Sequence, residues 1–180
     1  FHIALFSNIY ITMINIICDD NFFKKKLLHL FDQQNFFLSL HKTDQYFFEI
    51  IIFKKENSLE ILIKDEKINL NLPKSFNEIH EKIYKIISNI SIILQKHEYF
   101  PLKQLIKNNE KNILLTDIQN TIMFNLLLNS DRGINKVDLI KTIWPNDKEI
   151  FFNKLDTHLT NLKNNLSEEI GYDLKFSSKS

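Results

Sequence analysis

Apolar and polar positions alternate along the chain in a way that predicts two small, separately cored regions. From Met13 to Cys18 the apolar run Ile14, Ile16 and Ile17 predicts a short buried strand. It leads directly into Asp19-Asp20-Asn21, residue types that cap helix N-termini, so a helix should follow. On that helix Phe23, Leu27, Leu30 and Phe31 share one face, and Lys24, Lys25 and Lys26 form a solvated edge. Three β-rich stretches come next, Asn35 to Leu40, Tyr46 to Phe53 and Leu59 to Leu72, the last interrupted by a hairpin turn at Lys64-Asp65-Glu66-Lys67. Ser75 and Glu78 then spell a capping box. The apolar stripe Ile79, Ile83, Ile86, Ile87, Ile90 and Leu94 predicts a helix running to Leu94, with a dimerisation face as the alternative to packing on the strands.

The second half begins with two short predicted strands, Pro101 to Ile106 and Asn112 to Leu115, around the polar turn at 107–111. Thr116 and Gln119 form another capping box, opening a helix lined by Ile118, Ile122, Met123, Leu126 and Leu127. Ser130-Asp131-Arg132-Gly133 ends it. Asn135 caps the next helix, in which Val137, Leu139, Ile140, Ile143 and Trp144 are apolar, with Trp144 expected in the core, and Pro145 forces its end. Two short helices joined by a glycine-containing turn have the form of a helix-turn-helix. A third helix follows, with Phe151, Leu155, Leu159, Leu162 and Leu166 turned inward, until Gly171 releases the chain into Tyr172 to Ser180, one arm of an expected wing.

Composition narrows the class. The 180 residues are 44% hydrophobic and 25% charged, as in ordinary globular proteins, so the chain should fold. Glycine occurs twice and proline three times, which makes each a boundary marker. The single cysteine, Cys18, can form no internal disulfide, and no Cys/His pair has zinc-ligand spacing; a reducing, cytoplasmic setting is expected, with no metal. Residues 1–18 lack charge, but Ser7, Asn8, Thr12 and Asn15 interrupt them, and no basic region or cleavage site flanks them; no membrane association is expected. The chain opens at Phe1, so either Met13 is its start or the sequence is a fragment. The chain is expected to divide into an N-terminal lead at 1–12, a domain at 13–97 and a second at 98–180. Net charge is +1, spread evenly over the two halves, so electrostatics alone do not announce a nucleic-acid binder.

The side of the third helix opposite its leucines carries the chemistry. It displays Asn153, Lys154, Thr157, His158, Thr160, Asn161, Lys163 and Asn164, with Asp156 as almost its only acid. A solvated face would mix Glu with Lys; short amides and hydroxyls are the groups that reach base edges and phosphates. Lys175 and Lys179 on the wing arm join them as candidate DNA contacts. Asp156 reads as a hydrogen-bond acceptor at a helix junction, and His158 as either packing or a phosphate contact.

The stretch Leu115-Thr116, Leu126-Leu127-Leu128, Gly133, Leu139, Trp144 and Leu155-Asp156-Thr157-His158-Leu159-Thr160-Asn161-Leu162-Lys163-Asn164-Asn165-Leu166 resembles the C-terminal domain of the OmpR/PhoB-type response regulators. The resemblance covers about residues 99–180. It implies a winged helix whose third helix enters the major groove of double-stranded DNA. Thr160, Asn161 and Lys163 stand where the family usually places arginines, which removes bidentate guanine contacts worth ~1 to 3 kcal/mol each.

Residues 13–93 resemble, more faintly, a receiver domain: an acid pair, Asp19-Asp20, closes the first strand. Phe53-Lys54 stands where the phosphorylated aspartate belongs, and about two β-α units are missing, so no phosphoryl chemistry is expected. With two glycines there is no phosphate loop, and no nucleophile or metal motif has its context. The expected fold class is therefore α+β: a C-terminal winged helix-turn-helix preceded by a small, shortened receiver-like α/β domain. The expected protein is a non-enzymatic, cofactor-free transcription regulator, independent of phosphorylation, whose front domain dimerises or binds another protein. The alternative is a protein–protein interaction module built on a winged helix that has lost DNA binding.

Overall fold

The computed structural model describes residues 12–32, 46–108, 111–130, 133–145, 147 and 152–175, and the chain divides into two units after Asn89. Each is α+β with a four-stranded sheet of its own.

In the first unit β1 (Thr12–Cys18) passes into α1 (Asn21–Asp32) at Asp20, whose Oδ1 accepts from the Phe23 amide at 2.9 Å. This satisfies one of the amides that a helix start leaves without an intrahelical partner. Asp20 Oδ2 meets Lys54 Nζ at 2.6 Å, and that hydrogen bond, with the Phe23 amide behind it, holds the carboxyl below its ordinary range. β2 (Tyr46–Lys55) pairs parallel with β1, and β3 (Ser58–Ile63) and β4 (Glu66–Asn71) continue as an antiparallel meander, giving the order β1-β2-β3-β4. Period-two alternation sends Ile14, Ile16, Ile50, Ile52, Leu59, Ile61, Ile63 and Leu70 to one face, where they are buried. Phe23, Leu27 and Phe31 of α1 are buried as well, together with Ile79, Ile83 and Ile87 of α2 (Phe76–Ile87). Each such side chain contributes roughly 1.5–3 kcal/mol when fully buried. Rings join the helices: Phe23 lies 5.0 Å from Phe76, and Phe31 lies 4.4 Å from His80.

Two expectations change here. The receiver resemblance implies a parallel sheet wound through helical crossovers, whereas tight turns at Glu56-Asn57 and Lys64-Asp65 join β2, β3 and β4 antiparallel. The helix expected to reach Leu94 stops at Ile87. Ser88 Oγ and Asn89 Nδ2 both donate to the Lys85 carbonyl, at 3.2 and 2.8 Å, taking up an end carbonyl of the helix. Beyond them, β-branched Ile92 and Ile93 enter a strand of the second unit. The boundary therefore falls after Asn89 rather than at 97. The expected strand at 35–40 and the lead up to residue 11 lie outside the described residues.

The second unit starts with β5 (Ile92–Leu94), β6 (His97–Phe100), a single 3-10 turn at Pro101–Lys103, β7 (Leu105–Lys107) and β8 (Asn112–Leu114), all antiparallel neighbours in sequence order. The strand expected from Pro101 begins only at Leu105. The proline sets the turn, and Gln104 takes a left-handed φ of 52°. Three helices follow: α3 (Asp117–Leu128), α4 (Lys136–Ile143) and α5 (Phe152–Ile170), each touching the other two. Thr116 and Gln119 complete the capping box of α3, and Asn135 Oδ1 accepts from the Val137 amide at 2.8 Å to start α4. His97, Tyr99 and Phe100 of β6, Ile106 of β7 and Ile113 of β8 are buried. Among the described residues no helix is long and apolar enough to cross a membrane.

Candidate nucleic-acid interface

Helix α5 sets the geometry of the site. Leu155, Leu159, Leu162, Leu166 and Ile170 are all buried and recur at the three- and four-residue spacing of one helical face, which fixes the helix's rotation. Phe151 lies outside the described residues, and Phe152 is exposed. At the far end Gly171 takes φ +65°, a left-handed conformation that glycine adopts without the Cβ penalty; its amide donates to the Ser167 carbonyl at 3.0 Å. His97 adds an anchor that the sequence reading missed. It is buried in β6, with Nε2 3.0 Å from the Ile170 carbonyl and Nδ1 3.3 Å from the Leu94 carbonyl. Tyr172 stands edge-on to it at 5.5 Å. No periodicity distinguishes such a histidine from its exposed neighbours, so only the tertiary fold shows it.

With the leucines fixed inward, Asn153, Lys154, Thr157, Thr160, Asn161, Lys163 and Asn164 are all exposed, and His158 is half-buried. Asn153, Asp156, Thr157, Thr160 and Asn161 line one open depression on the helix. Thr157 Oγ1 donates to the Asn153 carbonyl at 2.8 Å and Thr160 Oγ1 to the Asp156 carbonyl at 2.9 Å, a back-bond typical of hydroxyls within helices. The side-chain amides of Asn153, Asn161 and Asn164 make no hydrogen bond to the described residues, and Lys163 makes no ion pair with them.

Two ion pairs edge this face. Lys154 Nζ is 3.1 Å from Asp147 Oδ2, and it also sits 4.1 Å from the Trp144 ring centroid. Asp156 Oδ1 accepts from Lys136 Nζ at 2.6 Å, tying α5 to the first residue of α4, so it is an acceptor at a helix junction. Trp144 departs from its expected core position: it is half-buried at the end of α4, with Lys154 over its ring and His158 5.6 Å away. Its C-cap position just before Pro145 turns the indole along the surface of α5 instead of into the core. Neither Lys136 nor Asp147 was singled out from sequence, because their partners lie across loops.

The wing is not on view. Gly171 to Lys175 form no strand, although Leu174 is buried; Lys175 is exposed, 3.8 Å from Asp173. Lys179 and the rest of the expected arm lie outside the described residues. No family model matches the chain, nor does any curated protein or solved structure.

Proposed function

We propose that the C-terminal unit is a winged helix-turn-helix that binds double-stranded DNA through α5, and that the chain is a transcription regulator working without phosphorylation. The observation that carries this reading is the composition of the outward α5 face between residues 153 and 164: amides, threonines and two lysines, with Asp156, its one acid, already held by Lys136. Amide and hydroxyl side chains suit base edges, and lysines suit phosphates. The ion pair holding Lys154 is no obstacle. Its partners are about two-fifths exposed, and exposed pairs are worth ~0–1 kcal/mol, so a phosphate oxygen readily replaces Asp147. On this reading the N-terminal unit supplies contacts to a second copy or another protein.

The test is a binding titration of the full chain on mixed-sequence duplex DNA at rising salt. A DNA-binding face loses affinity steeply, because each neutralised phosphate releases counterions. Absence of duplex binding at low salt overturns the reading. It would favour a protein-binding module, for which the two ion pairs, Lys154 with Asp147 and Lys136 with Asp156, are the supporting observation, since they leave the face almost neutral.

A further inference from the structure

Resting on the DNA-binding reading, we infer that the α5 face selects A·T-rich duplex and reads thymine through its methyl group. At roughly 100° per residue, Asn153, Thr157, Thr160, Asn161 and Asn164 fall within a strip about 100° wide, centred opposite the buried leucines. Lys154 and Lys163 flank that strip on opposite sides. From residue 153 to 164 the strip is roughly 16 Å long, matching about five base steps at ~3.4 Å each.

What the strip offers is specific in kind. The two threonine hydroxyl protons are committed to the Asn153 and Asp156 carbonyls. Each threonine therefore presents a Cγ2 methyl and an oxygen lone pair, not a donor. A methyl is the natural partner of the thymine C5 methyl, the one apolar group on the major-groove edge. The uncommitted amides of Asn153, Asn161 and Asn164 have the donor and acceptor side by side that matches adenine N7 and N6. Guanine's two acceptors call for a forked or double donor. α5 has no arginine, and its lysines stand on the flanks, where phosphates lie. Asp156 would suit cytosine N4, but Lys136 holds it at 2.6 Å. The strip thus complements the adenine and thymine edges and offers the guanine edge only single amide donors, without the forked donor that would engage both of its acceptors.

The experiment compares three duplexes of equal length with the full chain: A·T-rich, the same sequence with uracil replacing every thymine, and G·C-rich. The A·T duplex should bind about fivefold or more tighter than the G·C duplex, the lower bound for one bidentate adenine contact. Uracil substitution should cost part of that, about two- to fourfold for a lost methyl contact. Two double variants isolate the methyl. Thr157→Ser with Thr160→Ser keeps the back-bonding hydroxyls and should abolish the thymine-over-uracil difference. Thr157→Val with Thr160→Val keeps the methyls and should preserve it. Salt-sensitive binding of equal strength to A·T and G·C duplexes overturns the inference while leaving the DNA-binding reading intact. So does an A·T preference that uracil does not diminish, since groove shape would then be what is read. No binding to any of the three overturns the DNA-binding reading itself.

Discussion

The Tyr99 hydroxyl donates to Asn120 Oδ1 at 2.6 Å with the tyrosine wholly buried and the asparagine 6% exposed. Asn120 Nδ2 passes the link on to the Pro101 carbonyl at 3.1 Å, so one asparagine ties β6, the 3-10 turn and α3 together. Burial also pushes the Tyr99 phenol well above its ordinary range, which keeps it a donor at any working pH. This link fixes the start of α3 to the sheet.

Removing one partner should cost more than a hydrogen bond's net worth, because the other stays buried and unsatisfied. Tyr99→Phe should destabilise the C-terminal unit by about 1–3 kcal/mol. Trp144 is the only tryptophan, so urea unfolding followed by its fluorescence reports this unit selectively. An unchanged midpoint would show that the pair is not formed in solution.

In the N-terminal unit the box at the start of α2 has its own signature. The Ser75 amide, Lys74 and the Ser75 hydroxyl lower the Glu78 carboxyl to about 2 from an ordinary 4.5. Because the folded value is depressed, the cap's contribution is complete above pH 4.5 and is lost as pH falls through about 2. Ser75→Ala should cost about 0.5–2 kcal/mol, seen as a lower melting temperature by circular dichroism at neutral pH. Glu78→Gln should flatten the acid limb of the same measurement.

His80 behaves in the opposite region of pH. It is buried against Phe31, its Nε2 has no hydrogen-bond partner among the described residues, and burial lowers its pKa from 6.5 despite the opposing pull of Glu81. The neutral ring is favoured in the fold, so the unfolded chain binds more protons below 6.5. Stability is therefore complete above that pH and declines as pH falls beneath it. Melting temperatures of wild type and His80→Phe, measured from pH 7.5 to 5.5, should diverge, with the variant losing less on acidification. Parallel curves would refute the assignment.

How much of this was legible in sequence depends on whether the signal is local. Capping boxes at Ser75 and Thr116, the Asn135 cap, the hairpin at Lys64 and the rotation of α5 all follow from residues within a turn or two of each other, and all are present. What escaped reading depends on distant partners. Ile90 and Leu94 continue the apolar period of α2, yet pairing of Ile92 with Tyr99 draws the segment into a strand. Trp144 carries the hydrophobicity of a core residue, but lysine and histidine from the next helix receive it at the surface. The wing and the expected strand at 35–40 lie outside the described residues.

Asp156 is the one acid lining the depression on α5. Asp156→Asn should remove it and release Lys136 toward a phosphate, at the cost of an exposed ion pair worth ~0–1 kcal/mol. Affinity for mixed-sequence duplex should rise, and the salt dependence should steepen by about one unit of slope if Lys136 gains a phosphate. Weaker binding would mean that Asp156 contacts the duplex itself.

The charge reversal of both flanking lysines tests the central claim most directly. Lys154→Glu with Lys163→Glu changes two exposed side chains on α5 and removes the Lys154 contacts to Asp147 and the Trp144 ring, worth ~0–1 kcal/mol each at exposed sites. Unfolding of the C-terminal unit followed by circular dichroism should therefore stay within about 2 kcal/mol of wild type. Duplex binding at low salt should fall by at least tenfold, and its salt slope should drop by about two, one for each lost phosphate contact. Duplex affinity and salt slope equal to those of wild type would contradict the placement of α5 against DNA.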